Sequence, residues 1–405
     1  MVDGPVRKAN PYGLQKHRFP DLSVSSIHHP PSTIHVYLPM YFSLEKNTGE
    51  DANKPSRKKP IFPVSDLLRD YLKQHGREVK LPVTYNDLRL ISYAVPLKDK
   101  NGQDTLWETV SYDMQHWQYI RAGLVKMYAI LKTEGDMTFS KHLDVARVDF
   151  CSFANSSPFR IRIVNKFNDN YDHYYVKQAD ASRVYGLELE HLLSPNRITF
   201  FTHNNTLIEE HIPGIPGDVF ISKYLDEPIT NRIRFAKEFV KFNERCFVRL
   251  LGDMRSYNFV VNIIPDIEDF QYRIRSIDFD QQSYEGRKNL YLPQFFKENK
   301  ALVDLCIKHL NKDSITQYQT EERTMMAFRV ASSRFRLMHL LNIMSKDLIS
   351  TPEKLLQLKK ELAKAFDAPI FLKCRSMGQL VKRQLKQTLQ KNLALIQKNL
   401  GRFED

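Results

Sequence analysis

The stretch RLLGDMRSYNFVVNII (249–264) sets an aspartate, an arginine and an asparagine between two apolar runs. Asp253 and Asn258 stand five positions apart, and SIDFD (276–280) brings two further acids, Asp278 and Asp280. Upstream, VKQAD (176–180) carries Lys177 in a strand-like run. Carboxylate and amide oxygens are hard donors of the kind magnesium takes. A carboxylate can also accept or orient a proton, and an amine can neutralise phosphate. Each feature alone has a plainer explanation: Lys177, for one, can be an edge lysine whose stem covers apolar surface.

The elements that must position these groups can be read from the pattern. VSDLLRDYLKQHG (64–76) is a helix with Ser65 as cap and Gly76 as stop. HVYLPMYFSLE (35–45) and LRLISYAVPL (88–97) read as strands, and residues 112–132 repeat apolar side chains at helical spacing. From about 145 the texture changes. ARVDFCSF, FRIRIVNKF and HYYVKQA alternate and are separated by the tight turns NSSP and NDNYD, which predicts an antiparallel meander. SRVYGLELEHLL (182–193) is a helix with Ser182 as cap. NRITFFTHN and TLIEEHI are two more strands, and LIEEHIPGIPG (207–217) leads out of them. Beyond it come an amphipathic helix at 231–250, a hairpin from FVVNII to YRIRSIDFD, and helices including TEERTMMAFRVASSRFRLMHLLNIM and the basic 376–400.

The chain has 405 residues, 42% of them hydrophobic and 11% aromatic, which suits two or three packed units and argues against wholesale disorder. Four scattered cysteines without CxxC spacing argue against a zinc site or a disulfide framework. With no apolar signal core in MVDGPVRKANPYG and no run long enough to span a bilayer, the expectation is a soluble, cytoplasmic protein. The net charge of +13 attracts phosphate-bearing partners.

Three strands, a helix, two strands, a linker and then a helical part is a plan that resembles the protein-kinase-like superfamily, especially its aminoglycoside-phosphotransferase-like branch, over about 145–345. GDMRSYN (252–258) matches its catalytic-loop pattern D-x-x-x-x-N. The resemblance implies that Asp253 accepts or orients the proton of an attacking hydroxyl and that Asn258 holds a metal. Asp278 matches the metal-binding aspartate of D-F-G, with Asp280 in place of the glycine. Lys177 would bridge the α and β phosphates, and its helix partner would be Glu188 or Glu190. Glu188, on the face of Val184 and Leu192, is preferred. The linker would pair with adenine through the Glu210 carbonyl and the Ile212 amide.

Three departures stand against this pattern. The NSSP turn (155–158) has no glycine to bring backbone N–H groups to phosphate, leaving the Ser156 and Ser157 hydroxyls as partial substitutes. Leu251 replaces a bracing histidine, and no A-P-E anchor follows Asp278.

The expectation is therefore an α+β, bilobal protein-kinase-like fold. It has an N-terminal α/β extension (1–140), an antiparallel five-stranded N-lobe with one helix (145–212) and a helical C-lobe ending in the basic helix (213–405). The expected function is transfer of the γ-phosphoryl group of MgATP to a hydroxyl of an unidentified acceptor, a small molecule or a protein. The alternative is a pseudokinase scaffold that binds partners or nucleotide without transfer. A contact of the basic helix with nucleic acid or an anionic membrane is less favoured than packing of its leucine face.

Overall fold

The structure is a computed structural model and describes residues 59–400 except 100, 134, 136, 137 and 268. The strand expected at 35–45 lies outside the described residues.

Helix α1 (Asp66–Gln74) begins where Ser65 Oγ accepts from Leu68 N at 3.2 Å and gives way to Gly76 at φ +66°. Its spacing buries Leu68, Tyr71 and Leu72 on one face. The run at 88–97 divides. Tyr85–Leu88 is a short helix, α2, held by a Thr84–Asp87 capping box, and strand β1 (Tyr93–Lys98) starts later than the alternation suggested. Strand β2 (Asp104–Ser111) returns antiparallel to β1, and α3 (Met114–Thr133) follows.

The meander is present as β3 (Leu143–Phe150), β4 (Phe159–Asn165) and β5 (Tyr171–Gln178). Helix α4 (Ala181–Leu193) then precedes β6 (Phe200–His203) and β7 (Thr206–Glu210). The sheet has seven strands rather than five, in the order β1-β2-β3-β4-β5-β7-β6. The extra pair joins where β2 Glu108 and Thr109 face β3 Phe150 and Asp149. Buried Asp149 ties this seam, accepting from Thr109 Oγ1 at 2.9 Å and from Arg160 Nη2 at 2.8 Å and forming an ion pair with Arg147 at 2.8 Å. The β1–β2 hairpin thus covers an edge that β3 would otherwise leave open.

Ser182 does not cap α4. Asp180 does, accepting from Arg183 N at 3.1 Å, while Ser182 is the second residue of the helix and donates to the Gln282 carbonyl at 2.6 Å. A carboxylate suits this end because the helix dipole also favours negative charge there. Lys59 Nζ reaches both oxygens of the same Asp180 at 2.9 Å, fastening the start of the described chain to the helix.

After β7 the chain passes Gly214 and forms β8 (Ile215–Pro216), α5 (Gly217–Lys223) and α6 (Arg232–Arg249). Strands β9 (Phe259–Pro265) and β10 (Phe270–Ser276) make the expected hairpin, and β8 adds to it as a second, three-stranded antiparallel sheet. Gly214 is required here: a Cβ on it would stand 2.7 Å from Asn262 Oδ1 and 2.8 Å from Val260 Cβ.

Helices α7 (Lys300–His309), α8 (Lys312–Ser332), α9 (Arg334–Met344), α10 (Pro352–Phe366) and α11 (Met377–Leu400) complete the described chain. The long helix read at 320–344 is broken at Ser333, whose backbone leaves the helical region (ψ 25°). In α11 the leucine face is packed: Leu380, Val381, Leu385 and Leu389 are buried, and Gln384 Nε2 donates to the Phe247 carbonyl of α6. Among the described residues, no helix is long and apolar enough to cross a membrane.

One buried junction gives a pH prediction. Glu188 on α4 accepts from Tyr71 and from Arg77, while Arg336 of α9 donates to both its oxygens at 2.8 Å. His191, one turn on, lies 3.1 Å from Arg77. Burial, then the Arg77 charge, hold its imidazole down at about 4. The unfolded chain would protonate it near pH 6.5, so stability is full above that pH and is lost as pH falls towards 4. Allowing for solvent at its edge, the loss is about 1–2 kcal/mol. Melting temperatures measured between pH 7.5 and 4.5 should show this decline, and His191→Gln should flatten it.

Candidate active site

Lys177 sits on β5, opposite Leu207 of β7. Two residues along β7 the same face carries Glu209, a diagonal neighbour within reach of a long side chain. Lys177 and Glu209 form an ion pair, and both are buried. Arg183, on the first turn of α4, meets Glu209 from the other side with Nη2 at 2.6 Å and Nε at 3.2 Å. Its Nη1 also donates to Asp278 at 2.9 Å and to Asp280 at 2.7 Å. One guanidinium thus joins α4, β7 and the segment after β10, and Glu209 links it to Lys177 of β5.

The helix acids expected beside Lys177 are elsewhere. Glu188 faces α1 and α9 in the Tyr71–Arg77–Arg336 junction. Glu190 forms an ion pair with Arg249 at the end of α6. For Glu188 the reason is helical phase: Arg183 is the α4 residue turned to the lysine, and Glu188 follows five positions later, about 140° round the helix at 100° per residue. Glu190, seven positions on, is nearly in phase with Arg183 but lies about two turns further along the axis, beside Arg249. The charges are exchanged relative to the expectation: the helix supplies the cation and the neighbouring strand the anion.

Asp278 and Asp280 differ although they share Arg183. Burial, then the nearby Asp280, push the Asp278 carboxyl up. Burial also acts on Asp280, but Arg183 and Lys177 outweigh it and hold that carboxyl down. Asp280 is the committed anion of the network, while the half-buried Asp278 keeps an accessible carboxylate with one oxygen turned to Arg183. Lys177 is lowered by burial, then by Arg183.

The 252–258 loop is shaped by two left-handed residues, Leu250 (φ 55°) and Asp253 (φ 58°). Asp tolerates that conformation better than most side chains. Asp253 N donates to the Leu290 carbonyl at 3.0 Å, and Asn258 Nδ2 donates to the Asp253 carbonyl at 2.7 Å. The asparagine thereby closes the loop with its nitrogen and keeps its oxygen for another partner. Arg255 Nε donates to Asp253 Oδ1 and Nη1 to Glu298, both at 2.8 Å. Burial raises the Asp253 carboxyl to about 6, with Asp278 adding to the rise and Arg255 opposing it. Asp253 and Asp278 are thus close enough for their charges to interact, and Asp278 feels Lys177 in the same way.

Glu210 ends β7 opposite Tyr174. Its N–H donates to the Thr199 carbonyl and its side chain accepts from Thr199 N at 2.8 Å. Ile212 is buried in the hydrophobic core on the way to Gly214. The NSSP turn is closed by Ser157 N to the Ala154 carbonyl at 3.0 Å with Ser157 at φ 41°, and Tyr85 Oη pins it by donating to the Ser157 carbonyl.

Three groups here escaped the reading of the sequence. Arg183 and its partner Glu209 are two. The third is Gln282, fully buried, whose Nε2 donates to the Arg249 and Leu250 carbonyls at 2.6 and 3.1 Å. It supplies a brace for the loop that apolar Leu251 cannot, and Leu251 bridges to Gln282 through the backbone. Gly186 lets α4 approach this segment, since a Cβ there would lie 2.9 Å from Phe279 Cβ and 3.1 Å from Gln282 Cβ. Gly186→Ala should cost about 1–3 kcal/mol by overpacking, measured as a lower urea midpoint.

A magnesium ion would find hard oxygen donors in Asp278 and Asn258. Among the described residues no three His, Cys, Asp or Glu side chains gather as a metal cage. A cation held by one or two carboxylates and substrate phosphates requires none. Comparison with known proteins gives no family model matching the chain and no curated protein similar to it.

Proposed function

We propose that the chain is an ATP-dependent phosphotransferase of the protein-kinase-like type, moving the γ-phosphoryl group of MgATP to a hydroxyl. The observation that carries the reading is that Lys177 and Asp278 belong to one ion network through Glu209 and Arg183, with the Asp253 carboxyl of the neighbouring loop near enough to Asp278 to be raised by its charge. Lys177 would neutralise phosphate, and Asp253 would position the acceptor hydroxyl and take its proton. Asp278 and Asn258 would hold the magnesium ion, which supplies charge neutralisation at the transferred group. Glu210 and Ile212 would meet adenine where β7 leaves the sheet. Arg183 and Glu209 replace the usual helix acid as the pair that fixes Lys177.

The second reading, a nucleotide-binding scaffold without transfer, draws support from the glycine-free NSSP turn. Incubation with γ-labelled MgATP separates the two. Release or transfer of label that disappears in Lys177→Met supports the enzyme. A rise in melting temperature with MgATP but no label movement supports the scaffold, and neither response removes both.

A further inference from the structure

A cavity of about 420 Å³ lies between helix α6 and the β9–β10 hairpin, and no residue of the Lys177 network lines it. Its size falls among small-ligand sites, about 300–1,000 Å³. The helix wall is Arg234, Lys237, Glu238 and Lys241, whose spacing puts them on one face of α6. The hairpin wall carries Ile264, Gln271 and Arg273. Ile264 stands directly opposite Gln271, and Arg273 is two residues along the same strand, so the three share one face.

Some of these charges are already answered. Arg234 meets Asp266 in the hairpin turn at 3.5 Å, and Gln271 Nε2 donates to the same carboxylate at 2.9 Å. Lys241 pairs with Glu321 of α8 at 2.7 Å. Two cations are left over. Exposed Arg273 has no carboxylate within ion-pair distance and no side-chain hydrogen bond among the described residues. Lys237 shares the Glu321 that Lys241 holds more closely, at 3.6 Å.

Two acceptors are also left over. Glu238 Oε1 takes both the buried Arg245 Nη2 at 2.7 Å and Ile274 N at 3.0 Å, which fixes the carboxylate and leaves its Oε2 to another donor. Gln271, having given its Nε2 to Asp266, keeps its Oε1.

The lining therefore calls for an anion and for hydroxyl donors in one molecule. Lysine and a guanidinium fork suit phosphate oxygens. Bare phosphate leaves the two acceptors unanswered, and a neutral sugar leaves the two cations unanswered. A nucleotide base finds no ring to stack on, because Tyr272, the aromatic residue of the lining, is buried against Phe220 and Phe235. An acidic peptide finds little apolar wall, since Ile264 is the one aliphatic side chain there. We infer that this cavity binds a small phosphorylated polyol, a sugar or cyclitol phosphate, with Lys237 and Arg273 on its phosphate and Glu238 and Gln271 on its hydroxyls. The inference is independent of the phosphotransferase reading.

Calorimetric titration of the full chain with glucose 6-phosphate, inositol 1-phosphate, glucose and inorganic phosphate tests it. At least one of the two esters should bind saturably, and at least about tenfold more tightly than glucose or inorganic phosphate. The variant K237Q/R273Q should lose at least about tenfold of that affinity, while Gln271→Leu weakens the ester and leaves inorganic phosphate unchanged. The control K386Q/K391Q removes the same charge from exposed positions of α11 and should bind the ester as the native chain does. So should Asp278→Asn, which alters the separate nucleotide site. An unchanged melting temperature certifies each fold, and Arg273→Gln alone, at an exposed position, carries the test should the double variant unfold. Native protein that ignores both esters, or that binds inorganic phosphate equally well, would overturn the inference. Loss of ester binding in Asp278→Asn would do the same by moving the ligand to the other site, and equal weakening by K386Q/K391Q would reduce the effect to net charge.

Discussion

Asp253→Asn is expected to lower turnover of γ-labelled MgATP by about 10²–10⁴-fold, the range set by loss of a positioned proton acceptor. Asparagine is the informative replacement. It tolerates the left-handed backbone that Asp253 adopts at φ 58°, so the loop need not rearrange. It also keeps an oxygen for Arg255, whose guanidinium lies 2.8 Å from the present carboxylate. What it lacks is basicity. The melting temperature should therefore stay near that of the native chain, and the MgATP-induced rise should persist, because the nucleotide groups are assigned to Lys177 and Asp278. Unchanged label release would remove Asp253 from the chemistry. Loss of both binding and fold would mean that the side chain serves the loop alone.

The second large effect is on stability. Arg183→Met should destabilise the protein by about 3–5 kcal/mol, the cost of stripping one partner from a buried ionic cluster. The guanidinium meets Glu209 twice and Asp278 and Asp280 once each. Methionine has similar bulk but leaves Lys177 alone to answer those acids. Adding Glu209→Gln to Arg183→Met removes one of the uncompensated charges and should recover part of the loss, a coupling of about 0.5–3 kcal/mol. Glu188→Gln makes the contrast. It should also destabilise, through Arg77 and Arg336, yet leave MgATP affinity as it was. Urea unfolding of the four proteins, with and without MgATP, gives both quantities. If Glu188→Gln alone abolished nucleotide binding, the exchanged-charge arrangement would be wrong.

These residues mark how far the sequence could be read. The strands from 143 to 210 and helices α1, α4 and α11 follow from alternation and helical spacing, both local properties. The spacing of Asp253 and Asn258 is also local, and the asparagine does close its own loop onto the Asp253 carbonyl. The partner of Lys177 is not local. It depends on the register that sets Lys177 against Leu207 and so brings Glu209 alongside, and on the rotation of α4 that points Arg183 inward. A sharing of faces with Val184 and Leu192 identified a buried side of the helix, but α4 is buried nearly all round, so burial did not say which neighbour Glu188 would meet. Likewise the 104–111 strand escaped the reading of the sequence, and nothing in it or in 93–98 names the sheet edge they join. Ser182 looked like a cap because serine favours that place, while Asp180, two residues earlier, also accepts from Lys59 and from Phe62 N.

The central claim is that Lys177, Asp278 and Asp253 border one nucleotide site. Calorimetric titration of MgATP into the full chain and into Asp278→Asn tests it most directly. The account predicts saturable binding by the native chain that requires magnesium, and affinity reduced at least about tenfold in the variant, where a charged oxygen donor becomes a neutral one. No heat of binding to the native chain, or equal affinities for the two proteins, would contradict it.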